Sequence, residues 1–272
     1  MTLKWTEYQK LRVTGQENNV PWWTNDKLRL SKFLQENQLP TPKIYNVWNR
    51  PNEVDLFNVP TNEFVLKPSV MHSAMGVMVL KKYEDSELFF DSLSNKDLSI
   101  EDIIKIQETQ YEKCKFKGSY KIFMEEKINS AEEVGDIPFD YKIYCFYGIP
   151  KMICQINRNV KPPEVAFFDG EFRPLNLNKC IISNWKLINE GKHILPLNWQ
   201  YMLDVASKIS IIINSPFISV DMFSSSSGGG AVIGELTPAP GGPYYGDMYK
   251  FTESFDLELG QEWETALTKI SY

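Results

Sequence analysis

The chain has 272 residues, of which 43% are hydrophobic and 24% are charged. This ordinary globular composition and this length fit one large domain, or two or three small lobes around a shared cleft. Lys and Arg number 29 against 35 Asp and Glu, so the net charge is −6. Nonspecific nucleic-acid binders usually carry a basic surface, and the acidic balance therefore predicts no nucleic-acid partner.

The N-terminal segment and the cysteines indicate a compartment. Residues 1–8 contain no apolar run of the secretory kind, and no other apolar stretch approaches membrane-spanning length. The four cysteines form no Cys-x-x-Cys pair and only two histidines are present, which argues against structural zinc. We expect reduced thiols in a cytoplasmic protein with no integral membrane segment.

Residues 1–23 are polar with scattered aromatic residues, and the first predicted helix follows them. Thr24 or Asn25 is expected to cap this helix, Asp26 lies in its first turn, and it ends near Asn37, before a Pro-rich stretch. The remaining predicted elements are strands at 64–67 and 76–81, helices from Ser86 and over 100–111, a strand at 120–128, a hairpin of 141–147 with 152–158, a second strand pair around Asp169-Gly170, a helix over 199–213, strands at 217–223 and 231–236, and a helix over 257–267. Hairpins mixed with helices, without a repeating βαβ unit, predict an α+β fold.

Two acidic residues flank the Ser- and Gly-rich turn of the last predicted hairpin. The midpoint of Asp221 and Glu235 is (221 + 235)/2 = 228, and Gly228 lies in the turn, so a symmetric hairpin places the two carboxylates opposite each other. Opposed carboxylates on apolar strands are unfavourable unless a cation lies between them, and Mg²⁺ binds through one or two carboxylates. Thr237 shares the Glu235 face and could supply a neutral oxygen. The alternative is a solvated hairpin face that carries two acids.

A lysine ends the predicted strand at 64–67, and a loop of small residues follows it. We expect Lys67 to meet a nucleotide phosphate as a point charge, and the backbone of the loop at 68–75, which includes Ser73 and is followed by Gly76 at the start of the next strand, to cover the phosphates. His72 is interpreted as a passive loop residue. The alternative for Lys67 is an exposed lysine at a strand end.

Paired acids end the strand at 120–128. Backbone groups there could read an adenine edge, and Glu125 or Glu126 could accept a hydrogen bond from a ribose hydroxyl. The alternative is an acidic edge matched to Lys121 and Lys127.

Basic residues lie on both strands of the middle hairpin. Lys142 and Arg158 occupy successive strands that could line a cleft, and arginine is well shaped to hold a transferring phosphoryl group. The alternative is ordinary surface charge.

Together these segments resemble the ATP-grasp superfamily, in particular its teichuronopeptide-biosynthesis-like (TupA-like) branch. The resemblance runs from about residue 20 to the end and is carried by Asp26-Lys27 with Leu39-Pro40-Thr41-Pro42, by Phe64-Val65-Leu66-Lys67-Pro68, by Met124-Glu125-Glu126, by Asp140-Tyr141-Lys142 with Cys145-Phe146-Tyr147-Gly148, by Val220-Asp221, and by Gly234-Glu235-Leu236-Thr237 with Pro240-Gly241-Gly242.

The resemblance implies that ATP lies between two α+β lobes. It implies that Lys27 and Lys67 contact the phosphates, Glu125 and Glu126 the adenosine end, and the two hairpin acids the Mg²⁺ ions. Many members carry Asn two residues after the metal-binding Glu, where this chain has Thr237, which leaves that ligand open. We expect a reduced N-terminal lobe at 1–60, a small lobe at 61–130 and a large lobe with the metal site at 131–272.

ATP-grasp ligases commonly transfer the γ-phosphate to a carboxylate, and an amine or thiol then attacks the acyl phosphate. The resemblance therefore implies an ATP- and magnesium-dependent ligase that joins a carboxylate to an amine on a small molecule, peptide or glycan, with a cell-surface polymer suggested by the branch alone. A phosphotransferase on the same scaffold and a non-catalytic nucleotide-binding module are the alternatives. The sequence gives no indication of oligomeric state.

Overall fold

The computed structural model describes residues 2–71, 74–84, 86–130, 132, 134–226, 230–241 and 246–270. Two six-stranded sheets organise these residues, and helices cover the outer surfaces of both sheets. No helix within the described ranges has the length and apolar character needed to cross a membrane.

The first sheet is antiparallel throughout, in the order β1-β6-β2-β3-β4-β5. Its strands are β1 (Ile44–Trp48), β2 (Glu63–Pro68), β3 (Met78–Lys82), β4 (Phe89–Asp91), β5 (Lys96–Leu98) and β6 (Ile122–Glu126).

The second sheet has the order β11-β9-β8-β7-β12-β13, and every neighbouring pair is antiparallel except β11 with β9. Its strands are β7 (Asp140–Phe146), β8 (Ile149–Asn157), β9 (Glu164–Asp169), β11 (Asn189–Glu190), β12 (Ile218–Ser224) and β13 (Ala231–Thr237). A separate short pair joins β10 (Ile181–Ile182) to β14 (Lys250–Phe251).

The α-helices are α1 (Trp5–Val13), α2 (Lys27–Glu36), α3 (Ile100–Lys113), α4 (Leu177–Cys180), α5 (Trp199–Ile212) and α6 (Glu253–Leu267), and short 3-10 helices occur at Trp22–Asn25 and Pro51–Glu53. Local side-chain caps define the starts of α2, α3 and α6, and at α6 the Thr252 hydroxyl accepts from the Phe255 amide. Asp26 accepts hydrogen bonds from the first-turn amides of α2, and Ser99 forms a reciprocal capping box with Asp102 at α3.

Side-chain alternation divides the first sheet into an apolar face and a polar one. Phe64, Leu66, Met78 and Leu80 point into a core that also includes Ile103 of α3. Because successive strand residues point to opposite faces, the residues between them, such as Val65 and Lys67, face the second sheet instead.

The second sheet is covered on one face by α2 and α5, whose Leu30 and Met202 join a core with Ile143 and Val220. Part of its other face packs under α1 and α6, where Trp5 and Trp263 belong to a second core. The rest of that face is free of helices and carries charged residues that face the first sheet.

Three sequence-based predictions are wrong in detail. The segment from Ser86 is not a helix, because it forms β4 and β5, whose Phe89 is fully buried in the first core. Asp26, not Thr24 or Asn25, caps the helix that follows it, since residues 22–25 form a 3-10 turn. A pair of strands was predicted around Asp169-Gly170, but only the first of them, β9, is present. After the turn the chain returns to β9 through a single isolated bridge between Phe168 and Pro174.

Residues before position 60 are shared between the two sheets. Helices α1 and α2 pack on the second sheet, whereas β1 pairs with β6 in the first. The three-unit division at 1–60, 61–130 and 131–272 stays a prediction.

Candidate active site

A cavity of about 200 Å³ lies between the two sheets. It brings together most of the charged residues that the sequence singled out, and its lining includes Lys27, Lys67, Glu125, Glu126, Lys142, Arg158, Asp221 and Glu235. Apolar residues complete the lining, among them Val65, Val79, Leu93, Ile128 and Ile137.

The hairpin of β12 and β13 has the predicted register from its open end to the paired acids, but not nearer the turn. Asp221 pairs with Glu235, and the register shifts at the next pair, where Met222 meets Ile233 and Gly234 is the extra residue. A Cβ at Gly234 would lie 2.5 Å from the ring of Phe223, which also lines the cavity. Glycine therefore allows a bulge beside Glu235 without displacing this ring.

Asp221 is buried, with 4% exposure, and its carboxylate is bound on both oxygens. Lys142 of β7 donates to Oδ2, and the Ser219 hydroxyl donates to Oδ1 at 3.0 Å. Burial raises the pKa of Asp221 to about 7, and the neighbouring carboxylates of Asp140 and Glu235 act in the same direction against the attraction of Lys142. A cation bound beside Asp221 would offset the free-energy cost of ionising this buried carboxyl and would favour its ionised form.

Asp140 is a cavity residue that the sequence analysis did not assign to the site. Its Oδ2 accepts from Arg158 at 2.9 Å and lies 3.2 Å from Lys142, while its buried Oδ1 has no hydrogen-bond partner among the described residues. Burial opposes ionisation of Asp140, but the two cations outweigh it and lower its pKa. Its position two residues before Lys142 on a strand was the available signal, because such residues share one face.

Lys142 lies between two carboxylates and is almost enclosed by the protein. Burial disfavours its charge, yet Asp140 and Asp221 outweigh this effect and raise its pKa, so Lys142 is a permanent cation of the site. The charged wall of the second sheet is thus a connected network.

On the first sheet, Lys67 forms an ion pair of 2.5 Å with Glu125, and its ammonium lies 5.3 Å from the centre of the Phe123 ring. The alternative interpretation, an acidic edge matched to Lys121 and Lys127, does not hold for Glu125, because Lys127 pairs with Glu63 at 2.8 Å.

Lys27 connects the two walls of the cavity. Its ammonium donates to the Met71 carbonyl at 2.5 Å and lies 3.6 Å from Glu235, while its backbone amide donates to Ser69 at 2.9 Å. Helix α2 therefore joins the segment after β2 to the hairpin that carries the paired acids.

Gly76 and Thr237 do not line the cavity. Gly76 has φ +75°, packs beside Gln110 and Pro68, and its carbonyl accepts from Gln107 of α3 at 2.7 Å. Thr237 pairs with Ser219 at the open end of the hairpin. Ser73, His72, Gly228 and Gly242 lie outside the described residues.

The donor set fits a magnesium ion that shares its ligands with phosphate. Within the described ranges, no three His, Cys, Asp or Glu side chains lie together as a self-sufficient metal site. Mg²⁺ commonly takes one or two carboxylates and completes its octahedron with water and phosphate oxygens. Asp221 and Glu235, with the unpartnered oxygen of Asp140 nearby on the same wall, meet that requirement.

Two sheets with a charged cavity between them, and Asp221 paired with Glu235 on one wall, define the class as the ATP-grasp fold. The model for the TupA-like ATP-grasp family matches residues 3–264, and the chain belongs to this family.

Solved structures of ATP-grasp ligases are similar at low identity. The ligase PsnB complexed with minimal precursor, Mg and ADP is 12% identical, with a TM-score of 0.48 over 91% of this chain and 61% of that one. The D-alanine–D-alanine ligase from Bacillus anthracis is 16% identical, with a TM-score of 0.49 over 90% and 68%. The chain spans about three fifths of the length of the PsnB chains. No curated protein matches the chain.

Proposed function

We propose that this protein is an ATP- and magnesium-dependent ligase that activates a carboxylate as an acyl phosphate for attack by an amine. The observation that carries the proposal is the buried wall on which the paired Asp221 and Glu235 lie beside Lys142 and Arg158. Phosphoryl transfer requires little covalent chemistry from the protein, so catalysis rests on positioning and on charge neutralisation.

Asp221 and Glu235 would hold the magnesium, which supplies positive charge to the phosphate oxygens. Lys142 and Arg158 add fixed cations on the same wall, where their partners Asp140 and Asp221 hold them in place. Such preorganised charges stabilise the transferring phosphoryl group without reorganisation during the reaction.

The first sheet is suited to the other end of the nucleotide. Its wall is largely apolar, with Val65 and Val79 beside the Lys67–Glu125 pair. An adenine ring is planar and apolar on its faces, so this wall supports adenosine binding next to Glu126, with Lys67 and Lys27 directed at the phosphates.

The cysteines give no support to a covalent thiol mechanism. Cys145 and Cys154 are fully buried, and burial raises the pKa of both thiols, that of Cys154 to about 12. A buried neutral thiol is a poor nucleophile, which favours direct transfer between bound substrates.

The test is an ADP-release screen across pairs of carboxylates and amines in the presence of Mg²⁺. The ligase proposal predicts ADP and free phosphate only when both partners are supplied, with the amide identified by mass spectrometry. The Asp221→Asn variant serves as the inactive control. A stable phosphorylated acceptor without amide would instead assign the protein as a phosphotransferase.

A further inference from the structure

Arg12 of α1 is a fully buried arginine whose five N–H groups are all matched by acceptors. Nε and Nη2 donate to the two carboxylate oxygens of Glu17 at 2.8 and 2.5 Å, and Nη2 also donates to Ser215 Oγ at 3.1 Å. Nη1 donates to the carbonyls of Phe217 at 3.0 Å and Pro238 at 2.7 Å. A buried guanidinium is tolerated only with such complete pairing.

The two carbonyls bound by Nη1 lie at the open ends of the β12–β13 hairpin. Phe217 immediately precedes β12 and Pro238 immediately follows β13. One nitrogen therefore sets the separation of the two strand ends, four residues before Asp221 and three residues after Glu235.

Helix α6 holds the guanidinium in its plane. The Arg12 Cζ atom lies 4.4 Å from the Trp263 ring centre, and Trp263 stacks on Phe217 with ring centres 5.2 Å apart and an interplanar angle of 11°. Arginine combines a planar fork with stacking, which a lysine at this position cannot reproduce.

The hairpin needs such a restraint because β13 is the edge strand of its sheet. Glu235 directly follows the bulge at Gly234, so the ladder alone constrains its position weakly. Magnesium demands near-octahedral geometry, and small displacements of its carboxylates weaken binding.

We propose that Arg12 is a positioning residue that holds the β12–β13 hairpin at the spacing at which Asp221 and Glu235 bind Mg²⁺ with ATP. This inference rests on the proposed function, and it adds a residue that does not line the cavity. Arg12 acts through the two strand ends.

The experiment measures ATP binding by calorimetry over a range of Mg²⁺ concentrations in Arg12→Lys, Glu17→Gln and wild type. Arg12→Lys keeps the charge but loses the fork, and the Mg²⁺ concentration for half-maximal ATP binding is expected to rise about 10- to 100-fold, the scale for groups that orient metal ligands. ATP affinity at saturating Mg²⁺ is expected to stay within about threefold of wild type, because the other phosphate contacts remain. Glu17→Gln keeps the carbonyl contacts of Arg12 and is expected to give a smaller rise.

Lys151→Ala is the matched control, because the 2.7 Å pair of Lys151 with Glu262 also ties α6 to the second sheet but touches neither hairpin end. It should lower the melting temperature without changing the Mg²⁺ dependence. If Arg12→Lys does not fold, Glu17→Gln carries the test alone.

The two proposals fail in different ways. A wild type that binds ATP with Mg²⁺, together with Arg12 and Glu17 variants whose Mg²⁺ dependence equals that of Lys151→Ala, would overturn the positioning role alone. A wild type without Mg²⁺-dependent ATP binding overturns the proposed function, and the positioning role with it.

Discussion

The two walls of the cavity are built from the same kind of antiparallel strand but differ in how they manage charge. The wall of the first sheet is mostly apolar, and its charges form separate ion pairs, Lys67 with Glu125 and Lys127 with Glu63. The wall of the second sheet carries a network in which Lys142 and Arg158 are shared among acids. An isolated pair is balanced by itself, whereas the network contains one carboxylate, Asp221, whose burial its cationic partner does not fully offset.

The largest expected effect comes from neutralising the network. Asp221→Asn and Glu235→Gln are each expected to lower ATP-dependent turnover on the order of 10²- to 10³-fold, while the melting temperature without nucleotide stays equal or rises, because like charges are removed. Turnover and thermal unfolding with and without Mg-ATP are the measurements. Glu171→Gln, which changes a charge outside the cavity, is the control. If both variants keep their turnover and show the same rise in melting temperature with Mg-ATP as the wild type, this wall is not a metal site.

The isolated pair on the first sheet is expected to behave differently. Lys67 and Glu125 have side chains only 11% and 10% exposed, so Lys67→Met leaves a buried carboxylate unpaired and is expected to cost about 3 kcal/mol of unfolding free energy. The double variant Lys67→Met/Glu125→Gln should recover most of that loss. Urea unfolding of the single and double variants measures the loss and its recovery. If the double variant is destabilised as much as the single variant, Lys67 and Glu125 do not act as an isolated ion pair.

The pH dependence sharpens the comparison further. The pKa of Asp221 is raised from 3.8 to about 7, so its stabilising contribution is fully present below 3.8 and is lost as the pH rises through 7. Magnesium binds the ionised form, and the rise in melting temperature caused by Mg-ATP is therefore expected to grow from pH 6 to pH 8. Asp221→Asn should reduce the pH dependence of both the stability and the Mg-ATP-induced rise in melting temperature. A wild-type response that is the same at pH 6 and pH 8 would refute this role of the carboxyl.

The smallest expected effect concerns the apolar wall. Val65→Ala removes two methyl groups that face the cavity, and ATP affinity is expected to fall about fivefold. The Mg²⁺ dependence should remain unchanged, because the network lies on the other sheet. Calorimetry of ATP binding at two Mg²⁺ concentrations checks this. A change in the Mg²⁺ dependence would mean that the two walls do not contribute independently to ATP binding.

A symmetric hairpin predicted that Asp221 pairs with Glu235, and this pair is present. The predicted register fails nearer the turn, where Met222 meets Ile233, so the bulge at Gly234 is what brings Asp221 opposite Glu235. The bulge itself was not predictable, since it depends on the space left by the Phe223 ring. The Lys67–Glu125 pair was also missed, because it joins β2 to β6, which are neighbours in the sheet but distant in the chain.

Helix α1 gave no helical signal, because its buried side includes Gln9 and Arg12 in addition to Trp5. Apolar periodicity cannot reveal a helix whose inward residues are polar. The segment from Ser86 was predicted as a helix, and it forms β4 and β5 instead. Each strand has only three residues, too few for a visible alternation, and burial of Phe89 and Leu98 in the first core favours extended backbone.

The contact between α1 and the hairpin ends has a consequence for the order of folding. Arg12 meets Pro238 across 226 residues, and Thr6 meets Asp256 across 250 residues. Contacts of such separation form late, because a long loop must close before they contribute. During synthesis these contacts of α1 therefore have to wait until Pro238 and Asp256 have left the ribosome. Docking of α1 onto the hairpin ends and α6 is therefore expected to be a late step in folding.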